Sequence, residues 1–223
     1  MDTFDLITDI LDLSIIVPIV IGGTRVRAME KPFIIFWLFL VVGLINESIY
    51  FSNHTPLQQN IREYSYLAFE NLSLIYILLC WQQSPKRKQL FILYSLMLLG
   101  AIFMEALMAG VNTYRVILVK FPAYSFLMVA GIVTIDKILS VEKNNKKIVN
   151  SKLLILIPTV ISYIYTLILL LSLQLFYTEE TKRFFSVLYT SFIPPINFLS
   201  YLSFSLAFLW APKKEKFLSY ISS

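Results

Sequence analysis

The stretch LLILIPTVISYIYTLILLLSL, residues 153–173, contains no charged residue. An α-helix of that length extends about 31 Å at a rise of about 1.5 Å per residue, which matches the hydrocarbon thickness of a bilayer. Inside a bilayer, only a helix or a closed barrel satisfies its own backbone hydrogen bonds. The stretch therefore predicts a membrane-spanning α-helix.

Similar apolar stretches lie on both sides of it. The predicted spans are residues 5–23, 32–52, 64–83, 89–110, 120–140, 152–176 and 184–210. Because their connections are short and polar, the chain is predicted to be a single transmembrane domain, an all-α bundle of seven spans. The first span has a short apolar run, Leu13 to Gly23. A surface helix followed by a short re-entrant segment is the alternative there.

The composition of the whole chain agrees with this prediction. Of its 223 residues, 57% are hydrophobic and 15% are charged, against about 45–50% and about 25% in soluble domains. A water-soluble body of this size would expose large apolar patches. The lipid bilayer is therefore the first predicted partner. Nucleic acid is not expected, because the basic residues lie in short loops between apolar runs.

Lysine and arginine are concentrated in alternate connections. The segments 24–31, 84–88, 137–152 and the tail after 210 hold 14 of the 19 basic residues. Cytoplasmic loops of membrane proteins carry such an excess. The pattern predicts an external N-terminus and a cytoplasmic C-terminus.

Acidic residues follow the opposite pattern. Ten of the 14 lie on the predicted outer side or in the outer half of a span, and four spans each place one carboxylate at a similar depth: Asp12, Glu47, Glu70 and Glu105. A carboxylate facing lipid costs several kcal/mol. The leading hypothesis is an outward-facing acidic cavity that binds a cation, whether an amine, a metal ion or protons.

Two other interpretations stay open. In the first, the carboxylates are structural and are satisfied by interhelical hydrogen bonds involving Asn46 and Asn71, or by ion pairs to Arg115 and Lys120. In the second, they face a partner subunit. Asn71 is also a candidate ligand-binding residue. A carboxylate-only metal site would favour hard cations, although the metal itself cannot be predicted.

The last span contains Pro194, Pro195 and Asn197 near mid-membrane. Two prolines remove two backbone donors and predict a helix kink. Broken helices at the midplane often line transporter sites, although a kink can be purely structural. Asn197 is the candidate for the inner end of the cavity, and Tyr163, Tyr165 and Gln174 of the sixth span are further candidates.

Several kinds of chemistry are excluded by residues that the sequence lacks. His54 is the one histidine, so a histidine zinc enzyme has no ligand set. Cys80 is the one cysteine, which excludes a cysteine zinc site. Span 184–210 has no lysine for a retinal Schiff base, and no glycine-rich phosphate loop occurs. No cofactor is expected, and enzymatic activity is disfavoured.

Three short motifs resemble those of a group of small bacterial seven-helix membrane proteins. They are Leu44-Ile45-Asn46-Glu47, Phe69-Glu70, and Ala207-Phe208-Leu209-Trp210 before Lys213-Lys214. The resemblance implies a multi-pass protein of the bacterial inner membrane and no particular activity.

The leading functional hypothesis is binding or transport of a small molecule or cation, with Glu47, Glu70 and Glu105 forming the outer site. The alternative is a membrane-embedded sensor or oligomerising effector, in which the lysine-rich loop and tail act on a cytoplasmic partner. An intramembrane enzyme is a third and weaker hypothesis, because the histidines for it are missing.

Overall fold

The structure, a computed structural model, describes residues 13–50, 56–82, 84–108, 113–141, 146–175 and 179–212. The regular elements in these ranges are seven α-helices, which confirms the predicted all-helical fold. They are α1 (Ile16–Arg25), α2 (Lys31–Tyr50), α3 (Pro56–Trp81), α4 (Pro85–Met108), α5 (Thr113–Val141), α6 (Lys146–Leu175) and α7 (Glu179–Trp210).

Six of the described helices contain a stretch long and apolar enough to cross a membrane. These stretches are Lys31–Ile49, Gln58–Trp81, Pro85–Glu105, Val119–Ser140, Ile148–Ser172 and Ser191–Trp210. The helices extend beyond the predicted spans. Residues 56–63, predicted as loop, form the first turns of α3, because Gln, Arg and Glu favour a helix even where they are too polar for a membrane span.

The first helix is much shorter than the others. With 10 residues, α1 extends about 15 Å, roughly half of a hydrocarbon core. Residues 1–12 lie outside the described residues, so a complete first span stays a prediction. Three contacts fix α1: Trp37 Nε1 donates to the carbonyl oxygen of Ile19 at 2.8 Å, and the Arg25 guanidinium donates to the carbonyl oxygens of Phe208 and Leu209.

The helices are arranged as a ring with one helix outside it. Each helix of the ring packs on the next in the order α1, α2, α3, α5, α6, α7, and α7 packs on α1 to close it. Helix α4 lies outside the ring and packs on α3 and α5. The outer face of α4 accordingly exposes large apolar side chains such as Met97 and Leu107. This surface suits contact with lipid, which is as apolar as the side chains themselves.

The helix ends next to the predicted basic connections meet at one end of the bundle, called here the basic end. Lys143 and the lysines of the tail lie outside the described residues. The start of α2 touches the end of α3 there, since the rings of Phe33 and Trp81 lie 5.7 Å apart. Met29 and Ala211 are buried in the same core, and Arg25 holds the end of α7. The clustering of these connections supports the charge pattern, while the side of the membrane that the basic end faces stays a prediction.

Aromatic side chains fill the ring interior from the basic end towards its middle. The ring of Phe36 lies 4.8 Å from that of Phe204, edge to face, and 6.0 Å from that of Phe208. Phe36 and Phe208 are fully buried. We call Phe36, Phe204 and Phe208 the aromatic plug, because the open space of the bundle lies beyond them.

Candidate functional site

A cavity of about 130 Å³ lies inside the ring, bounded by α2, α3, α6, α7 and Ile15 just before α1. A cavity of about 150 Å³ is large enough to hold benzene, so this one suits a ligand of that size or a few waters. Three helices contribute the acidic and amide side chains of its described lining: Glu47, Glu70 and Asn197. The sequence predicted all three as candidate site residues, and the structure brings them to one cavity.

Glu70 is held in a fixed orientation by two tyrosines. Its side chain is only 7% exposed. The hydroxyl of Tyr163 on α6 donates to Oε1 at 2.9 Å, and the hydroxyl of Tyr124 on α5 donates to Oε2 at 3.3 Å. The two tyrosine rings stack with their centroids 4.9 Å apart. A carboxylate is an acceptor for such donors, so three helices are joined through it.

Tyr66 lies one turn before Glu70 and also lines the cavity. Its hydroxyl lies over Gly43 of α2, where an added Cβ would come within 3.3 Å of the tyrosine oxygen. Its ring stacks against Phe39, with centroids 6.4 Å apart. Glycine at position 43 therefore gives the tyrosine hydroxyl its place at the cavity wall.

Glu47 marks the mouth of the cavity. It follows Gly43 by one turn on α2, lines the same cavity and is itself exposed. A residue that is both exposed and part of the lining indicates that the cavity opens at that point. The mouth lies towards the end of the bundle opposite the basic end, because Glu47 is near the end of α2 and Lys31 begins it.

The wall formed by α6 and α7 includes three residues that carry aliphatic hydroxyl groups, Thr159, Ser162 and Ser200. Thr159 Oγ1 donates to the carbonyl oxygen of Ile155 at 2.7 Å, and Ser200 Oγ donates to that of Ile196 at 2.8 Å. Both hydroxyls thus use their hydrogen within their own helix. A hydroxyl keeps two acceptor lone pairs, so these oxygens are left as acceptors at the wall.

The α7 wall includes Asn197, which comes shortly after the two prolines. α7 remains α-helical through Pro194 and Pro195, so the helix is not broken there. The two prolines have no backbone N–H groups that could donate to the carbonyl oxygens of Thr190 and Ser191. The predicted kink stays a prediction.

Asn71 and Glu105 are not among the described residues that line the cavity. Asn71 is 1% exposed, but its Nδ2 donates to the carbonyl oxygen of Leu67 at 2.8 Å in its own helix. Glu105 is on α4, outside the ring, and is not among the described lining residues. Asp12 lies outside the described residues, as does the side chain of Arg115.

Lys120 pairs with a carboxylate that the sequence analysis did not single out. Its Nζ lies 3.5 Å from Oε2 of Glu63, and both side chains are 29% exposed. This partly exposed pair joins α5 to α3, and the predicted pairing of Lys120 with a buried carboxylate stays a prediction. Such a pair contributes up to about 1 kcal/mol.

Within the described ranges, no group of three or more His, Cys, Asp or Glu side chains is placed to hold a metal ion. Glu47, Glu70 and Glu105 accordingly do not form one ligand set. Two carboxylates of the three share the cavity, and the third is on a different face of the bundle.

Of the aromatic part of the site, the sequence pattern indicated Tyr163 and did not indicate Phe39, Tyr66, Tyr201 or Phe204. Tyr66 and Glu70 are four residues apart, as are Asn197 and Tyr201, and such pairs lie on one helix face. That spacing was available as a signal. Tyr124 had none, because its contact with Glu70 depends on how α5 packs against α3.

A second, more open groove of about 330 Å³ lies between α6 and α7 near the basic end. Most of its lining is apolar: Leu153, Leu154, Ile157, Pro158 and Trp210, with Asn150 and Ser203. No charged residue is among these described residues. Acyl chains suit such a surface, so the central cavity is the stronger candidate site.

Comparison with known protein families, curated proteins and solved structures finds no match to this chain. A function is therefore inferred from the cavity itself.

Proposed function

We propose that this membrane protein binds a small cation in its central cavity and carries it across the membrane. The observation that supports the proposal is the charge of the lining. Glu47 and Glu70 belong to it, and no Lys, Arg or His is among its described residues. Charges interact several times more strongly at a low dielectric constant than in water, so this cavity favours a cation and disfavours an anion.

Glu70 is the proposed anchor, and Glu47 the residue that a cation meets first. The tyrosines hold both Glu70 oxygens in place, so the carboxylate need not reorganise when a ligand arrives. Preorganised sites of this kind bind at a lower cost in ordering. The exposed Glu47 raises the local concentration of cations at the mouth.

The direction of access follows from the charge pattern. If the basic end faces the cytoplasm, as the positive-inside rule predicts, the mouth near Glu47 opens to the outside. The aromatic plug closes the other end. Transport then requires Phe36 and Phe204 to separate in a second conformation. Location in a bacterial inner membrane, which the short sequence motifs alone imply, is part of the proposal.

A sensor is the second candidate function. The same cavity is closed at the plug, and α7 extends from the cavity wall at Ser200 to the basic end, where Arg25 contacts its last carbonyl groups. A ligand that moves α7 would change the basic end without crossing the membrane. Uptake into proteoliposomes distinguishes the two functions, because a sensor binds the cation and does not release it inside.

Calorimetric titration of the protein in lipid nanodiscs with monovalent, divalent and organic cations tests the proposal. Glu70→Gln and Glu47→Gln should each weaken binding at least about tenfold, the effect of losing about 1.4 kcal/mol. Glu105→Gln is the matched control, because it removes a carboxylate of a membrane helix outside the cavity. The proposal is wrong if no cation binds saturably, or if the control weakens binding equally.

A further inference from the structure

We infer that the cation taken by this cavity is a small protonated organic amine that retains N–H donors, and that it is neither a metal ion nor a quaternary ammonium ion. The inference depends on the proposed function and names its ligand class. Three features of the lining support this inference. They are the aromatic surface, the hydroxyl oxygens whose hydrogens already make hydrogen bonds, and a carboxylate that already accepts hydrogen bonds.

The aromatic surface suits an organic ion. Among the described residues, five aromatic side chains line the cavity: Phe39, Tyr66, Tyr163, Tyr201 and Phe204. Aromatic faces attract a cation within about 6 Å and also pack against its hydrocarbon part. A volume of about 130 Å³ is close to that of a cavity that holds benzene. A bare metal ion would leave most of this space and this apolar surface unused.

The hydroxyl groups suit a ligand that donates hydrogen bonds. Thr159 and Ser200 donate to backbone carbonyl groups, and Tyr163 donates to Glu70. What these three oxygens still offer is lone pairs. A primary ammonium group carries three N–H donors, as lysine does, and can donate hydrogen bonds to such oxygens. A quaternary ammonium ion has no donor to give.

Glu70 is poorly arranged as a metal ligand. Both of its oxygens accept hydrogen bonds from tyrosines. Ca²⁺ takes about six to eight oxygen ligands, and Mg²⁺ demands near-octahedral geometry. In the described part of the chain, no three acidic, histidine or cysteine side chains converge. An ammonium ion placed near Glu70 needs charge and acceptors and no such coordination shell.

The test is a calorimetric panel on the full-length protein in nanodiscs. The probes are n-butylammonium, tetramethylammonium, the neutral n-butanol, K⁺, Mg²⁺ and Ca²⁺. We expect saturable binding of n-butylammonium, with n-butanol and tetramethylammonium each at least about tenfold weaker, as expected for the loss of a charge-assisted hydrogen bond. Metal ions should not compete with n-butylammonium.

Two substitutions each remove one of these acceptors. Each has a matched control, a hydroxyl that makes the same kind of bond to a backbone carbonyl group elsewhere in the bundle. Thr159→Val and Ser200→Ala should each weaken n-butylammonium binding about three- to tenfold. They should leave tetramethylammonium binding unchanged. Thr134→Val and Ser205→Ala should change neither, because these hydroxyls donate to Ala130 and Tyr201 carbonyl groups and are not among the described lining residues.

The possible results separate the two proposals. Binding of a metal ion that depends on Glu70 and excludes n-butylammonium overturns the amine inference and leaves cation binding standing. Equal affinity for n-butylammonium and tetramethylammonium overturns the role of the hydroxyl oxygens. Equal affinity for n-butylammonium and n-butanol, or binding by no probe, overturns the proposed function as well.

Discussion

Replacing Tyr163 by phenylalanine removes the hydroxyl that donates to Oε1 of Glu70 across 2.9 Å. Hydrogen bonds to charged groups contribute about 1.5–3 kcal/mol in soluble proteins. Those between membrane helices average about 0.6 kcal/mol and reach about 1.7 kcal/mol. For this short and buried bond we expect a coupling energy of about 1–1.5 kcal/mol. The longer bond from Tyr124, at 3.3 Å, should contribute about half as much.

A double-mutant cycle measures this coupling directly. The variants are Tyr163→Phe, Glu70→Leu and the pair, and the free energy of unfolding is obtained by titrating the protein from mild detergent into dodecyl sulfate while following tryptophan fluorescence. Leucine is chosen at position 70 because the side-chain oxygen of glutamine would still accept from the tyrosine. The corresponding cycle with Tyr124→Phe gives the weaker bond.

The control cycle combines Glu70→Leu with Tyr94→Phe. The Tyr94 hydroxyl donates to the carbonyl oxygen of Pro122 at 2.6 Å and not to Glu70. The changes in the free energy of unfolding caused by Tyr94→Phe and Glu70→Leu should therefore be additive within about 0.5 kcal/mol. A Tyr163–Glu70 coupling below that level, or one no larger than the control, would show that the tyrosine does not orient the carboxylate.

Two further predictions concern helix packing. Gly131→Ala should lower the free energy of unfolding by about 1–3 kcal/mol, because an added Cβ would lie 2.6 Å from Cγ2 of Val160. Gly100→Ala, with nothing within 4 Å of the added atom, should be neutral or stabilising by up to about 1 kcal/mol. The same unfolding titration compares the two glycine variants, and an equal decrease in the free energy of unfolding for both would contradict this packing. Arg25→Ala should lower the free energy of unfolding by about 1–3 kcal/mol, because it releases the carbonyl groups at the end of α7. Arg27 is exposed, and Arg27→Ala should change the free energy of unfolding by less than about 0.5 kcal/mol. An equally large decrease for both variants would contradict the contact between Arg25 and α7.

Hydropathy and charge were sufficient to predict the helices, because the bilayer restricts the backbone to helix over each long apolar stretch. The same constraint predicted that Glu70 faces the bundle interior, water or a partner, since a carboxylate facing lipid is costly. The gathering of Arg25, Lys31 and Lys88 at one end followed from their alternate positions along the chain. These features depend on composition along the chain, which the sequence contains directly.

The neighbours of each helix could not be predicted in this way. The sequence predicts Glu105 at a depth similar to that of Glu47, yet α4 packs outside the ring and takes Glu105 away from the cavity. Lipid is as apolar as a protein core, so an apolar helix face does not indicate whether it meets lipid or another helix. For the same reason, the partnership of Tyr124 with Glu70 became visible only with the packing of α5 on α3.

The charge preference of the cavity can be measured at Ser200, which lines it. The Ser200→Cys variant is made with Cys80→Ser, since Cys80 is exposed, and is reacted with 2-aminoethyl and 2-sulfonatoethyl methanethiosulfonate. Rates are divided by those of a free thiol in solution. We expect the cationic reagent to be favoured at least about tenfold, and this preference to fall when Glu70→Gln is added. Equal normalised rates for the two reagents, or a preference unchanged by Glu70→Gln, would contradict a cation-binding cavity at this site.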